Sequence, residues 1–282
     1  MRTSLDDRPT FGDRTRGALE RSGRGALDAT RSLGSLYAMV LDAVLLTGAG
    51  LLRRRFPWRE FIDQTWFLVS VSLVPTILIA IPFGMVIVLE VGGLANQIGA
   101  TSFVGAVDAI GTVREASPIV TALLLAGAGG SAICADLGAR TIRDEISALE
   151  VMGISPLERL VAPRLLAMML VAVFLNGIVA FAGIMSGYVA DVTVLHGTAG
   201  GFLNSFSSFA QPADVIESMM KAAIFGLLAA VVASYKGLNA KRGPAGVGEA
   251  VNQAVVITGV SLFVVNLVLT EIFLVLVPPR LP

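Results

Sequence analysis

The chain has 282 residues, 55% of them hydrophobic and only 15% charged, with a mean hydropathy of +0.78. A soluble domain must cover its surface with charge, so this balance points to an integral membrane protein. Lys plus Arg and Asp plus Glu number 21 each, and zero net charge gives no global electrostatic case for nucleic acid as a partner. Residues 1–32 carry seven arginines and five acids with few large apolar side chains, and read as a solvated, cytoplasmic polar tail. Its opening, "MRTSLDDRPTFGDRTRGALERSG", has no apolar core and does not read as a cleavable signal peptide.

Leu33 to Leu52 is nearly long enough to span a bilayer. Arg31 precedes it and Arg53, Arg54 and Arg55 follow, so one arginine cluster would have to cross. Asp42 would also lie at the midplane, where a charge costs about 3 kcal/mol on insertion scales. Residues 33–60 therefore read as an amphipathic interfacial helix, with Phe56 and Trp58 as aromatic anchors. A sixth span is the alternative.

Five stretches qualify as spans within a domain over 65–277: about Thr65–Glu90, Pro118–Leu137, Leu160–Val189, Val215–Tyr235 and Val251–Val277. Arg140, Arg143, Arg159 and Arg164 follow the second, and Lys236, Lys241 and Arg242 follow the fourth. The loop after the third has no lysine or arginine. The positive-inside rule then predicts a cytoplasmic N-terminus and an extracytoplasmic C-terminus. The expected class is all-α, with the five spans preceded by the interfacial helix.

Small residues cluster within the spans. "AGAGGSA", Ala126 to Ala132, and Gly183-x-x-x-Gly187 are expected to let helices approach closely. No Gly-Lys-Ser/Thr follows the glycine run, so it is not read as a phosphate loop. The single cysteine, Cys134, reads as a packing residue, and the single histidine, His196, as a surface residue. No catalytic residue, metal site or cofactor is expected.

Between the second and third spans lies "TIRDEISALEVMGISPLERLVAPR". Ile142, Ile146, Leu149 and Gly153 recur at i, i+4, i+7 and i+11, which predicts one helix from Arg140 to Gly153. Arg140 and Asp144 are spaced as an i, i+4 pair, and Gly153 with Pro156 ends the helix. Periodicity alone leaves two roles open, a passive connector or a docking helix.

The first span runs on as "VGGLANQIG", and Ile87, Val91, Leu94 and Ile98 fall within about 40° of one line. That face is a candidate lining for a lipid pocket, or else a packing stripe. Glu115, at the start of the second span, and Lys221, one turn into the fourth, are expected near one another at the outer boundary. They form a headgroup contact or a structural ion pair. Glu90 and Glu271 are expected to be locked in helix contacts.

The run from Arg114 to Arg164 resembles the MlaE/YrbE permeases of the MCE lipid-transport systems. The matching features are Arg-Glu followed closely by proline, Ala-Gly-x-x-Gly-Ser, Ala-Asp-x-Gly at the span exit, Glu-x-x-x-Leu-x-x-Met-Gly-x-x-Pro, and Pro-Arg. Ala128 and Gly129 stand where the family often has a basic residue, and the long polar N-terminus resembles the actinobacterial Mce branch. The resemblance implies the permease half of an ABC transporter in the inner membrane, moving fatty acids, phospholipids or sterols.

It further implies a separate ATPase, docked on a cytoplasmic coupling helix at about Thr141–Pro156. Glu145, Ala148, Leu149, Met152, Gly153, Ile154 and Pro156 would meet it. A second permease half, a copy or a paralogue, and MCE proteins are the other partners implied. An ion-coupled carrier is the alternative, although no inverted repeat is evident. A membrane-embedded enzyme is disfavoured, because the lone histidine sits in a glycine-rich loop.

Overall fold

The computed structural model describes residues 57–99 and 103–276. Among these, five helical segments are long and apolar enough to cross a membrane: Trp58–Ala95, Val104–Ile142, Leu157–Thr193, Pro212–Leu238 and Pro244–Leu276. The tail over 1–32, the predicted interfacial helix up to Phe56, and residue 277 lie outside the described residues. Trp58 is already in the helix of the first candidate span, α1 (Trp58–Gln97).

The second span is a composite. It runs through α2 (Val104–Asp108), a π-helical stretch (Ala109–Ala116), α3 (Ser117–Leu125), a second π stretch (Ala126–Gly130) and α4 (Ser131–Ile142). The third opens with a π stretch (Leu157–Val161) and continues as α6 (Ala162–Thr193). Two of the three π stretches end two residues before a proline, Pro118 and Pro163. Proline has no N–H to give the carbonyl four residues back, and a wider turn re-registers the chain there.

Between the second and third spans lies α5 (Glu145–Val151). Beyond the third comes α7 (Ala199–Phe209), then α8 (Pro212–Leu238) and α9 (Pro244–Leu276). One end of the bundle therefore carries α5 and the other α7. The loop before the fourth span contains α7, a helix that its glycine- and serine-rich sequence did not suggest. Thr198 caps it by accepting from Gly201 N at 3.2 Å, and Phe202 is buried beside Tyr188, ring centroids 5.4 Å apart.

Helix α1 buries one narrow stripe: Leu68, Ser72, Thr76, Ala80, Gly84, Val88 and Gly92, each four residues from the last. Small residues on an i+4 ridge let α6 come close, and Gly84 abuts Gly183 there while Gly187 faces Val88. Cys134 is fully buried, and its carbonyl lies against Gly237 of α8. His196 is exposed, with a left-handed backbone. A polar trio joins three spans: Ser117 Oγ donates to Asn176 Oδ1 at 2.8 Å, and Asn176 Nδ2 donates to Ser218 Oγ at 2.8 Å.

Candidate functional site

The stretch after α4 is not one helix. Helix α4 ends at Ile142, Asp144 adopts a left-handed conformation at φ 57°, and only then does α5 begin. Aspartate tolerates that region better than most residues, so the break falls where the sequence can bear it. The stripe Ile142, Ile146, Leu149 and Gly153 is therefore split across two elements. Arg140 pairs with Asp136 at 3.2 Å and approaches Glu145 at 3.9 Å, rather than pairing with Asp144.

At its far end α5 closes in a Schellman motif. Ile154 N donates to Leu149 O and Gly153 N to Glu150 O, both at 2.9 Å, with Gly153 at φ +73°. Two sharp corners thus bracket a helix in which no residue is buried. Ile146 and Leu149 are half-buried and Glu145 is tied to Arg143 at 2.8 Å. Ala148, Met152, Gly153 and Ile154 are exposed, and Pro156 is half-buried. Val151 is 89% exposed and extends this apolar end.

The second cluster lies within the spans. Lys221 Nζ is 2.9 Å from Glu115 Oε1 and 2.8 Å from Glu217 Oε1. Arg114 Nε is 2.8 Å from Glu217 Oε2, its guanidinium lies 5.0 Å from the Phe273 ring centroid, and Asp214 is 4.0 Å away. Thr270 Oγ1 accepts from Lys221 at 2.8 Å, and Asn266 Nδ2 donates to Glu115 Oε2 at 3.2 Å. Lys221 also donates to the Arg114 carbonyl at 3.4 Å. That carbonyl lacks its α-helical donor, because residue 118 is proline.

Glu115 and Lys221 therefore do meet. The helix holding Glu115 starts eleven residues earlier, at Val104, which puts the carboxylate about 16 Å along it. Lys221 is nine residues into α8. Two cations face three carboxylates. Lys221 and Glu217 are each 2% exposed, whereas the Glu115 side chain is 35% exposed and is the member open to a visitor.

Projection of the sequence missed Arg114, Asp214 and Glu217 as members. The signal was present, since Asp214, Glu217 and Lys221 are spaced three and four apart on one face of α8. Glu90 and Glu271, expected in helix contacts, are instead exposed.

The four residues of the proposed pocket face divide. Ile87 is half-buried beside Gly111, Val91 is half-buried, and Leu94 and Ile98 are exposed, Ile98 in the turn beyond α1 at 80%. A cavity of about 840 Å³ opens on another side of α1, between Ile77, Ile81 and Met85 and the α6 residues Phe174, Phe181 and Met185. Among the described residues no cluster of three or more His, Cys, Asp or Glu is placed to hold a metal ion.

The sequence is similar to those of known proteins. The family described as Permease MlaE matches residues 61–272, which takes in most of the first and fifth spans and the whole of the three between them. The chain belongs to the MlaE permease family. A probable ABC transporter permease protein of Synechocystis is 30% identical over 242 residues, covering 85% of this chain and 92% of that protein. The intermembrane phospholipid transport system permease protein MlaE of Haemophilus influenzae is 28% identical over 251 residues, covering 89% and 95%. The chloroplastic Arabidopsis thaliana protein TRIGALACTOSYLDIACYLGLYCEROL 1 is 28% identical over 223 residues, covering 79% and 64%. The MlaE match spans both α5 and the Arg114-Glu115 pair.

Proposed function

We propose that this chain is the permease half of an ABC transporter that moves lipids across or out of the inner membrane. A separate ATPase binds at the α5 end, a second permease half completes the path, and an MCE-type protein works on the opposite side. Support for the lipid cargo comes from the likeness to the Haemophilus phospholipid permease over 89% of this chain. The observation that carries ATPase docking is α5 itself, an unburied helix with an apolar tip, held between two spans by sharp corners. Helix-in-groove binding needs such an element.

The arginines and lysines at the α5 end, against none between residues 193 and 211, support placing α5 and the N-terminus in the cytoplasm and the C-terminus outside. Work must be supplied because lipid chains exposed to water cost about 0.8 kcal/mol per methylene. Within this reading Ile87, Val91, Leu94 and Ile98 line the acyl path. Glu115, held by Lys221, meets the headgroup. Fatty acids, phospholipids and sterols all suit aliphatic walls, which discriminate weakly.

The test is a pull-down of the solubilised complex, wild type beside Val151→Lys/Met152→Lys, with mass spectrometry of proteins and lipids. An ATPase that accompanies the wild type and is lost from the variant upholds the reading. Full retention in the variant makes α5 a connector. Bound lipid is then compared in Glu115→Ala and Lys221→Ala, where unchanged lipid with lowered thermal stability reduces the pair to a structural one.

An ion-coupled carrier draws on one observation, the buried Lys221–Glu217 pair on α8. Transport that continues without any ATPase, and follows an ion gradient, would favour it.

A further inference from the structure

A third set of charges lies at the α5 end, and the transport reading above assigns it no task. Arg164, at the start of α6, has a fully buried side chain. Its Nη2 is 2.6 Å from Asp136 Oδ2 of α4 and 3.4 Å from Glu60 Oε1 in the first turn of α1. Its Nη1 donates to Leu160 O at 2.6 Å. Asp136 is shared with Arg140, and Arg140 reaches Glu145, the first residue of α5. Glu145 in turn binds Arg143.

We propose that Arg164 is the positioning residue through which movement of α5 reaches the first and third spans; this rests on α5 being the ATPase dock. The chain Glu145–Arg140–Asp136–Arg164–Glu60 runs from α5 to α1, and with Arg143 its three acids balance its three bases. At both ends of the chain a group shared by two partners holds one close and one far. Arg164 has Asp136 at 2.6 Å and Glu60 at 3.4 Å, and Glu145 has Arg143 at 2.8 Å and Arg140 at 3.9 Å.

A joint built this way has a second arrangement ready, in which close and far partners exchange. When α5 is pushed, Glu145 moves from Arg143 onto Arg140, Asp136 readjusts with Arg140, and Arg164 shifts from Asp136 toward Glu60. Apolar packing would glue the helices at lower desolvation cost but offers no such exchange. The planar guanidinium suits the task because it holds two carboxylates and a carbonyl at once from a fixed fork, which an ammonium cannot do.

The test uses the full complex with its ATPase in lipid vesicles. Variants are Arg164→Lys, which keeps the charge and loses the fork, and Glu60→Gln, an isosteric change at a half-buried site that leaves the fold intact. A probe on Ile62→Cys, exposed on α1, reports movement on adding nucleotide. Both variants should bind the ATPase and hydrolyse ATP. The Ile62 response should disappear and lipid moved per ATP should fall by roughly tenfold, a typical coupling between sites. Normal response and normal lipid per ATP in Glu60→Gln overturn the proposal, whatever Arg164→Lys does. If no ATPase accompanies even the wild type, the docking reading fails and this one with it; a bound ATPase with unchanged coupling sinks the relay alone.

Discussion

The two charge clusters differ in where their burial lies. In the inner cluster both members of the Lys221–Glu217 pair are buried, on one helix at i, i+4, and the carboxylates outnumber the bases. At the α5 end only Arg164 is fully buried, while Asp136 and Glu60 keep part of their surface. A buried charge whose partner is buried too cannot be rehydrated when that partner is lost. A buried charge among half-exposed partners can be partly rehydrated. The inner cluster is thus built to stay and the outer one to rearrange, and substitutions should separate them.

The largest effect is expected at Lys221. Lys221→Met leaves Glu217 buried with only Arg114, and should cost about 3–5 kcal/mol in reversible unfolding in mixed micelles. Lys221→Met/Glu217→Gln should cost less than the two single changes added, by about 1–3 kcal/mol, since they share one interaction. Strict additivity would mean that the 2.8 Å contact carries no energy of its own, and the contrast with the α5 end would fall.

Next in size is Arg164→Met. Asp136 retains Arg140, and Glu60 can turn to water, so the loss should be about 1–3 kcal/mol. A cost equal to that of Lys221→Met would show the α5 end to be as fixed as the inner cluster. Arg143→Ala, which removes an exposed partner of Glu145, should cost no more than about 1 kcal/mol and fade further with salt.

The five spans were legible because a bilayer demands about 20 apolar residues, and each span contains such a run. Their ends were not. "DAIGTVREAS", residues 108–117, is polar enough to be read as a loop, yet it is helix, because Arg114 and Glu115 find partners on α8 and α9. Hydropathy scores a residue alone, and such charges are tolerated only in company. The Glu115–Lys221 meeting was foreseeable from the rule that charges in spans pair. Helix α5 was legible as an amphipathic piece, but its break was not. Asp144 tolerates the left-handed corner but does not demand it, and α4 ends where it meets α8, where Thr141 Oγ1 donates to Gly237 O at 3.3 Å.

The smallest effect on the fold is expected at the tip of α5, and it is the most informative. Val151 is almost fully exposed and touches no core, so Val151→Lys should change stability by no more than about 0.5 kcal/mol. Lysine is the chosen replacement because a cation at the C-terminal end of a helix meets the negative end of the dipole, so the change does not weaken α5 itself. Any loss of the ATPase then comes from the missing apolar contact and not from a damaged helix. Unchanged melting with lost ATPase retention would set α5 apart from both charge clusters, as a surface kept apolar for a partner. Unchanged melting with full retention would place the dock elsewhere at that end, and the exposed valine would be of no consequence.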